Sequence, residues 1–134
     1  MPQTRSQNDA RLALKQITEV ADKNAKVQSR YGMLVNRLPL MVRENGFLAA
    51  LAFLQAKGDK DDSAEKLLLR HLCGHFTEIE KAERMHRSVL EADLTKYRRL
   101  TRRMMEILVW YKRLAESKLG VDATGTREAS HDSN

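Results

Sequence analysis

One cysteine, two prolines, one tryptophan and six glycines occur among 134 residues. A lone cysteine, Cys73, excludes an internal disulfide and fits a reducing compartment. So few glycines and prolines exclude a β fold rich in tight turns. They also leave no glycine-rich cradle for a phosphate: there is no Walker loop, no dinucleotide fingerprint and no nucleophile elbow. Long apolar runs are missing too. The longest, residues 47–54, is 8 residues, against about 20 for a membrane span. The opening MPQTRSQND holds no apolar export core, so a cytoplasmic protein is expected.

What the chain does have is leucine and charge. Leucine occurs 18 times against 10 for valine plus isoleucine, which favours helix over strand. A chain of this length supports one core. The expectation is an all-α, single-domain bundle of five to six helices with a long basic C-terminal helix. Residues 1–5 read as a flexible arm, 6–120 as the helical bundle domain, and 121–134, poor in apolar residues, as a disordered tail.

Helical periodicity and end signals divide the bundle. Ser6 and Asp9 predict a helix start, and Ala10, Ala13, Leu14, Ile17, Val20, Ala21 and Val27 recur on one stripe. That helix is expected to end or bend near residues 29–32. Pro39 predicts a break or kink in the next apolar stretch. Asn45-Gly46 signals a turn, and residues 47–57 read as a buried central helix stopped by Gly58. Residues 58–63 form a polar loop, with Asp62 and Glu65 as a helix start. Leu67, Leu68, Leu69, Leu72 and Phe76 give a further core face, and residues 77–87 a charged, exposed helix or helical connector. Ser88 and Glu91 have capping-box spacing, opening a last helix that runs to about Lys118 and stops at Gly120. The expected core comprises Phe47, Leu51, Phe53, Leu54, Leu68, Leu72, Met104, Leu108 and Tyr111.

The charge is concentrated. Net charge is +6, and residues 94–118, with eight cations and two anions, carry all of it. On a helical projection, Tyr97, Leu100, Met104, Ile107, Leu108, Tyr111 and Ala115 share one arc. Arg98, Arg99, Arg102, Arg103, Lys112 and Arg113 occupy most of the other side, with Lys96 nearby in sequence. Cations spaced along a rigid element suit contact with a polyanionic backbone, without reading bases. Lys96, Arg98, Arg99, Arg102, Arg103, Lys112 and Arg113 are therefore the candidate nucleic-acid contacts. A charged, merely solvated face is the plainer reading. Trp110 lies at the border of the arc; with Arg37 and Arg43 it is a candidate for partner contact, or it only closes the rim of the core. The aromatics fall mostly on apolar faces, so base stacking is not suggested.

No constellation points to catalysis. His71 and His75 are four apart on a helix, but Cys73 points elsewhere and a zinc site needs three or four ligands, so no metal and no cofactor are expected. The two histidines read as surface or half-buried residues. Carboxylates lie in loops or charge-alternating stretches, and no general acid–base pair is evident.

Two segments carry a resemblance. The first holds Tyr31, Leu38-Pro39, Asn45-Gly46-Phe47, Ala50-Leu51-Ala52-Phe53 and Lys57-Gly58. The second holds Tyr97-Arg98, Thr101, Trp110, Lys112-Arg113 and Ala115. In order, spacing and length the chain resembles the small helical subunit of the Cmr complex, the type III-B CRISPR effector. The resemblance implies a non-catalytic helical bundle whose copies stack into a short filament beside repeated backbone subunits. They would line the path of the guide RNA–target RNA duplex and connect to the large polymerase-type subunit. The isolated chain would be monomeric or weakly self-associating. Arg103 departs from the pattern, because the family often has an acidic residue there. Other readings are the small subunit of the type III-A complex and a free-standing basic nucleic-acid-binding protein. For the latter, the recognition-helix arrangement is missing.

Overall fold

A computed structural model describes residues 3–57, 63–79 and 81–120. Six α-helices form: α1 (Arg5–Ala21), α2 (Ala25–Asn45), α3 (Phe47–Lys57), α4 (Ala64–Cys73), α5 (Met85–Leu90) and α6 (Leu94–Leu119). One turn of 3₁₀-helix, Ala82–Arg84, precedes α5. The described residues contain no strand, so the all-α expectation holds. The expected Gly58 stop, Asp62, the loop at 58–62 and the tail at 121–134 lie outside the described residues.

The helix starts are fixed by side chains that accept orphan backbone N–H groups. Thr4, not Ser6, caps α1: its hydroxyl accepts from the Gln7 N–H, and the Gln7 side chain accepts from the Thr4 N–H. Arg5, assigned by sequence to a loose arm, is thus the first residue of α1. Asn24 caps α2 through the Val27 N–H and Ser63 caps α4 through the Lys66 N–H. Asp93 caps α6 through the Lys96 N–H at 2.8 Å. The expected Ser88–Glu91 box is not used: Ser88 lies within α5 and Glu91 follows its last turn. Of the two outcomes expected for residues 77–87, the connector holds: its described residues are turn and coil, then the 3₁₀ turn Ala82–Arg84 and the start of α5.

Two further expectations about helix limits are corrected. The first helix ends at Ala21, about eight residues early, because Asn24 starts a new one. And of the break or kink expected at Pro39, the break is absent: α2 runs through it without ending. A proline inside a helix costs about 3 kcal/mol. Burial of Leu38 and Val42 on either side of it offsets that, at about 1.5–3 kcal/mol for each large apolar side chain.

The core draws on every helix. Ile17 and Val20 from α1, Tyr31 and Val35 from α2, Leu51 and Leu54 from α3, Leu68 and Leu72 from α4, Met85 from α5, and Leu108 and Tyr111 from α6 are all at most 1% exposed. Of the expected core residues only Phe53 is merely half-buried. Helix α6 lies against both α1 and α2. It runs in the same direction as α1, since Asp9 meets Arg103 and Gln16 meets Tyr111. The end of α2 sits at its start, where the Leu48 N–H donates to the Tyr97 hydroxyl at 3.2 Å.

That last contact joins the two segments on which the resemblance rests. Gly46, between α2 and α3, has φ +94° and ψ 158°, a region open essentially to glycine. A β-carbon there would stand 3.2 Å from the Tyr97 hydroxyl oxygen. The Asn45-Gly46-Phe47 turn and the Tyr97-Arg98 pair are thus two halves of one corner.

Candidate nucleic-acid interface

The basic stretch folds as α6, capped at Asp93 and stopped by Gly120 in the left-handed conformation, φ +64°. Its apolar arc, Leu100, Met104, Ile107, Leu108, Tyr111, Ala115 and Leu119, is buried. The other side faces solvent. Its cations, however, are not equivalent, and the sequence projection did not separate them.

Arg103 is not a surface cation. Its side chain is 17% exposed, and its two terminal nitrogens donate to the two carboxylate oxygens of Asp9, at 2.5 and 2.6 Å. Asp9 is itself buried between α1 and α6 and also faces His75 Nδ1 at 3.2 Å. Burial alone would raise the Asp9 pKa, but the Arg103 and His75 contacts outweigh it and hold the carboxyl below its usual value. So Arg103 has a structural use: it pins α6 to the start of α1. Arg99 is partly engaged, 3.7 Å from Glu78.

Among the described residues, Lys96, Arg98, Arg102, Lys112 and Arg113 make no ion pair and are exposed. Arg98, Arg102, Lys112 and Arg113 share the solvent face, spread over about 22 Å of helix rise. Lys96 lies in the first turn, about 160° around the helix from Arg98. Arg37 and Arg43 are exposed on α2, and Trp110 is partly buried against the core at the α1 side of α6.

Between α6, the start of α1 and the segment after α4 lies a cleft of about 440 Å³. Arg5, Arg99, Arg102 and Arg103 line it, with Glu78 and Glu106. Arg5 was not among the sequence candidates. The signal that could have found it is Thr4 with Gln7, a capping-box pair that brings Arg5 onto α1.

The histidines are neither exposed nor half-buried, contrary to expectation. His71 and His75 are 6% and 9% exposed, and each meets a tyrosine hydroxyl: Tyr31 at 2.7 Å from His71 Nδ1, Tyr111 at 2.8 Å from His75 Nε2. Tyr111 also donates to Gln16 Oε1. Burial lowers the His71 pKa from 6.5 to about 4, with Glu19 partly opposing it, and burial lowers that of His75 as well. Neutral His71 then accepts from Tyr31, and its Nε2 makes no hydrogen bond: Glu19 is 3.4 Å away but badly aligned. These groups tie α1, α2, α4 and α6 together. Among the described residues no three histidine, cysteine or carboxylate side chains converge as a metal site.

The arrangement is a rigid cationic helix face beside a basic cleft. The family profile described as "CRISPR-associated protein (Cas_Cmr5)" matches residues 5–118. The chain belongs to the Cmr5 family. It is 32% identical over 114 residues to the "CRISPR system Cmr subunit Cmr5" of Thermus thermophilus, covering 85% of this chain and 95% of that protein. The X-ray crystal structure of a CRISPR-associated Cmr5 family protein from the same species superposes with a TM-score of 0.78 at 30% identity, covering 88% of this chain and 99% of the other. The match spans all six helices, so the Cmr5 fold extends from the Arg5 cleft wall to Lys118 near the end of α6. No described helix of this Cmr5-family chain is long and apolar enough to cross a membrane.

Proposed function

We propose that this Cmr5-family protein is a non-catalytic structural subunit of a cytoplasmic type III-B CRISPR effector. Copies stack beside the repeated backbone subunits and contact the large polymerase-type subunit. Their α6 faces line the path of the guide RNA–target RNA duplex and lower its electrostatic cost. The observation that carries the reading is the face formed by Arg98, Arg102, Lys112 and Arg113, four exposed cations that make no ion pair with any described carboxylate. One copy meets few phosphates, so binding by the isolated chain is weak, without sequence preference and steeply salt-dependent. Stacking several copies raises the effective concentration of each contact and turns weak binding into avidity. Arg37 and Arg43, exposed on α2, are offered to protein neighbours.

The test has two parts. The tagged protein is isolated from its host, and guide RNA with the other Cmr subunits is expected to come with it. Then Arg98, Arg102, Lys112 and Arg113 are replaced by Glu in the reconstituted complex. Target RNA binding should weaken, and its log–log salt slope should flatten, by about 0.7 per lost single-strand phosphate contact. A variant complex that assembles and binds like wild type at every salt concentration refutes the role of this face.

A further inference from the structure

The arginine cleft does not end at the arginines. A second depression, of about 520 Å³, lies beside it, lined by Thr4, Ser6, Val109, Trp110 and Asp9, whose carboxylate is taken by Arg103, and the two share Arg5 and Glu106. The first is cationic: four arginines against two glutamates give it a net charge of +2. Two of those arginines are held in place, Arg103 by Asp9 and Arg99 by Glu78, while Arg5 and Arg102 have no ion-pair partner among the described residues. The second presents the chain's single tryptophan and Val109, which is 45% exposed.

A charged pocket and an aromatic one in contact match the two ends of a nucleotide. Arg102 and Trp110 are separated by about 12 Å of helix rise. That is short enough for one phosphate and the base of the same or the next nucleotide to reach both. Guanidinium groups bind phosphate oxygens in a fork, and bases stack on indole without regard to sequence. Glu106, on the shared rim, repels a phosphate but accepts from a donor, which a ribose 2′-hydroxyl supplies and deoxyribose does not.

We propose that these two adjoining depressions take a short unpaired stretch of RNA, with a phosphate at Arg5 and Arg102 and a neighbouring base against Trp110. The inference rests on the nucleic-acid reading above, but it concerns a single-stranded segment at the α1–α6 edge, where that reading concerns backbone contact along the outer face of α6. It gives Arg5 a role, and it separates a discrete seat from a diffuse stripe.

Because Trp110 is the sole tryptophan, its fluorescence reports on the seat directly. The full chain is titrated with a five-nucleotide oligoriboadenylate, the matching deoxy oligomer and an abasic five-phosphate oligomer. Saturable quenching by the RNA is expected, with weaker binding of the deoxy oligomer. The abasic oligomer should bind about tenfold more weakly and leave the fluorescence unchanged. Arg5→Gln with Arg102→Gln should weaken the RNA about tenfold or more, while Lys15→Gln with Lys26→Gln, exposed cations outside both depressions and outside the α6 face, should change it little. Arg102→Gln alone serves if the double variant does not fold. Absence of quenching, equal binding of the abasic oligomer, or unchanged binding in the Arg5/Arg102 variant overturns the proposal. In the last case the outer-face reading still stands. Conversely, quenching that depends on Arg5 and Arg102 upholds the seat even if charge reversal at Arg98, Lys112 and Arg113 alone leaves the assembled complex unaffected.

Discussion

Asp9 and Arg103, 94 positions apart, meet through two parallel hydrogen bonds at 2.5 and 2.6 Å, with 6% and 17% of their side chains exposed. The pair joins the first helix to the last. Removing one partner of such a buried pair strands the other charge and costs about 3–5 kcal/mol, whereas replacing both costs far less. Arg103→Met is therefore expected to destabilise strongly in urea unfolding, and Asp9→Asn with Arg103→Met to recover most of the loss. Additive single effects would show that the two residues do not act as a pair.

Stability should fall in acid. The pKa of His71 drops from 6.5 to about 4 on folding, chiefly through burial, so the folded state takes up its proton later than the unfolded chain. The contribution is fully present above pH 6.5 and is lost as pH falls toward 4, amounting to about 3 kcal/mol at the bottom of that window. Asp9, also held below its usual value, adds a loss at lower pH still. The urea midpoint measured between pH 7 and 4 should decline, and His71→Gln should flatten that decline. An equally steep profile in the variant would place the sensitivity elsewhere.

Leu51 and Leu108 are 1% and 0% exposed. Leu51→Ala or Leu108→Ala is expected to cost about 2–5 kcal/mol. Thermal unfolding unchanged from wild type in either variant would contradict the packing described.

Gly46→Ala forces an L side chain into φ +94° and against the Tyr97 hydroxyl. A loss of about 1–3 kcal/mol is expected. Because the strain belongs to the backbone, Tyr97→Phe in the same chain should relieve only the contact and not the whole penalty. Full rescue by Tyr97→Phe would assign the cost to the clash alone.

Charge reversal at Arg98 and Arg102 should leave stability within about 0.5 kcal/mol, as at ordinary surface positions. The same change at Arg103 should not. Comparing the urea midpoints of Arg102→Glu and Arg103→Glu checks the division of the basic face into solvated and structural cations.

The nearly all-apolar run of α3 and the apolar periods of α4 and α6 were legible because leucines so placed leave few alternatives to a buried helix. The join between α1 and α2 was not, because Val27 continues the stripe past Ala21 and only Asn24 marks the new start. A break at Pro39 was expected for a related reason: a local penalty was weighed without the tertiary burial that offsets it. At the interface, the projection of α6 showed which side was basic, but pairing depends on what another helix brings. Asp9 carried a signal, since it stands four residues before Ala13 and eight before Ile17, on the buried stripe of α1. A carboxylate there calls for a partner, and Arg103 is that partner. The histidines were misplaced because hydrogen bonds to Tyr31 and Tyr111 come from distant parts of the chain.

The side-by-side course of α1 and α6 also governs how the protein is made. More than seventy residues separate the end of α1 from the start of α6. At a synthesis rate of about 5–20 residues per second, α1 leaves the ribosome several seconds before its neighbour exists. During that interval Asp9 and the Ile17–Val20 stripe lack the α6 surface that covers them in the fold, while α2 to α5 have only one another and α1 to close on. The fold is completed only when the last helix emerges.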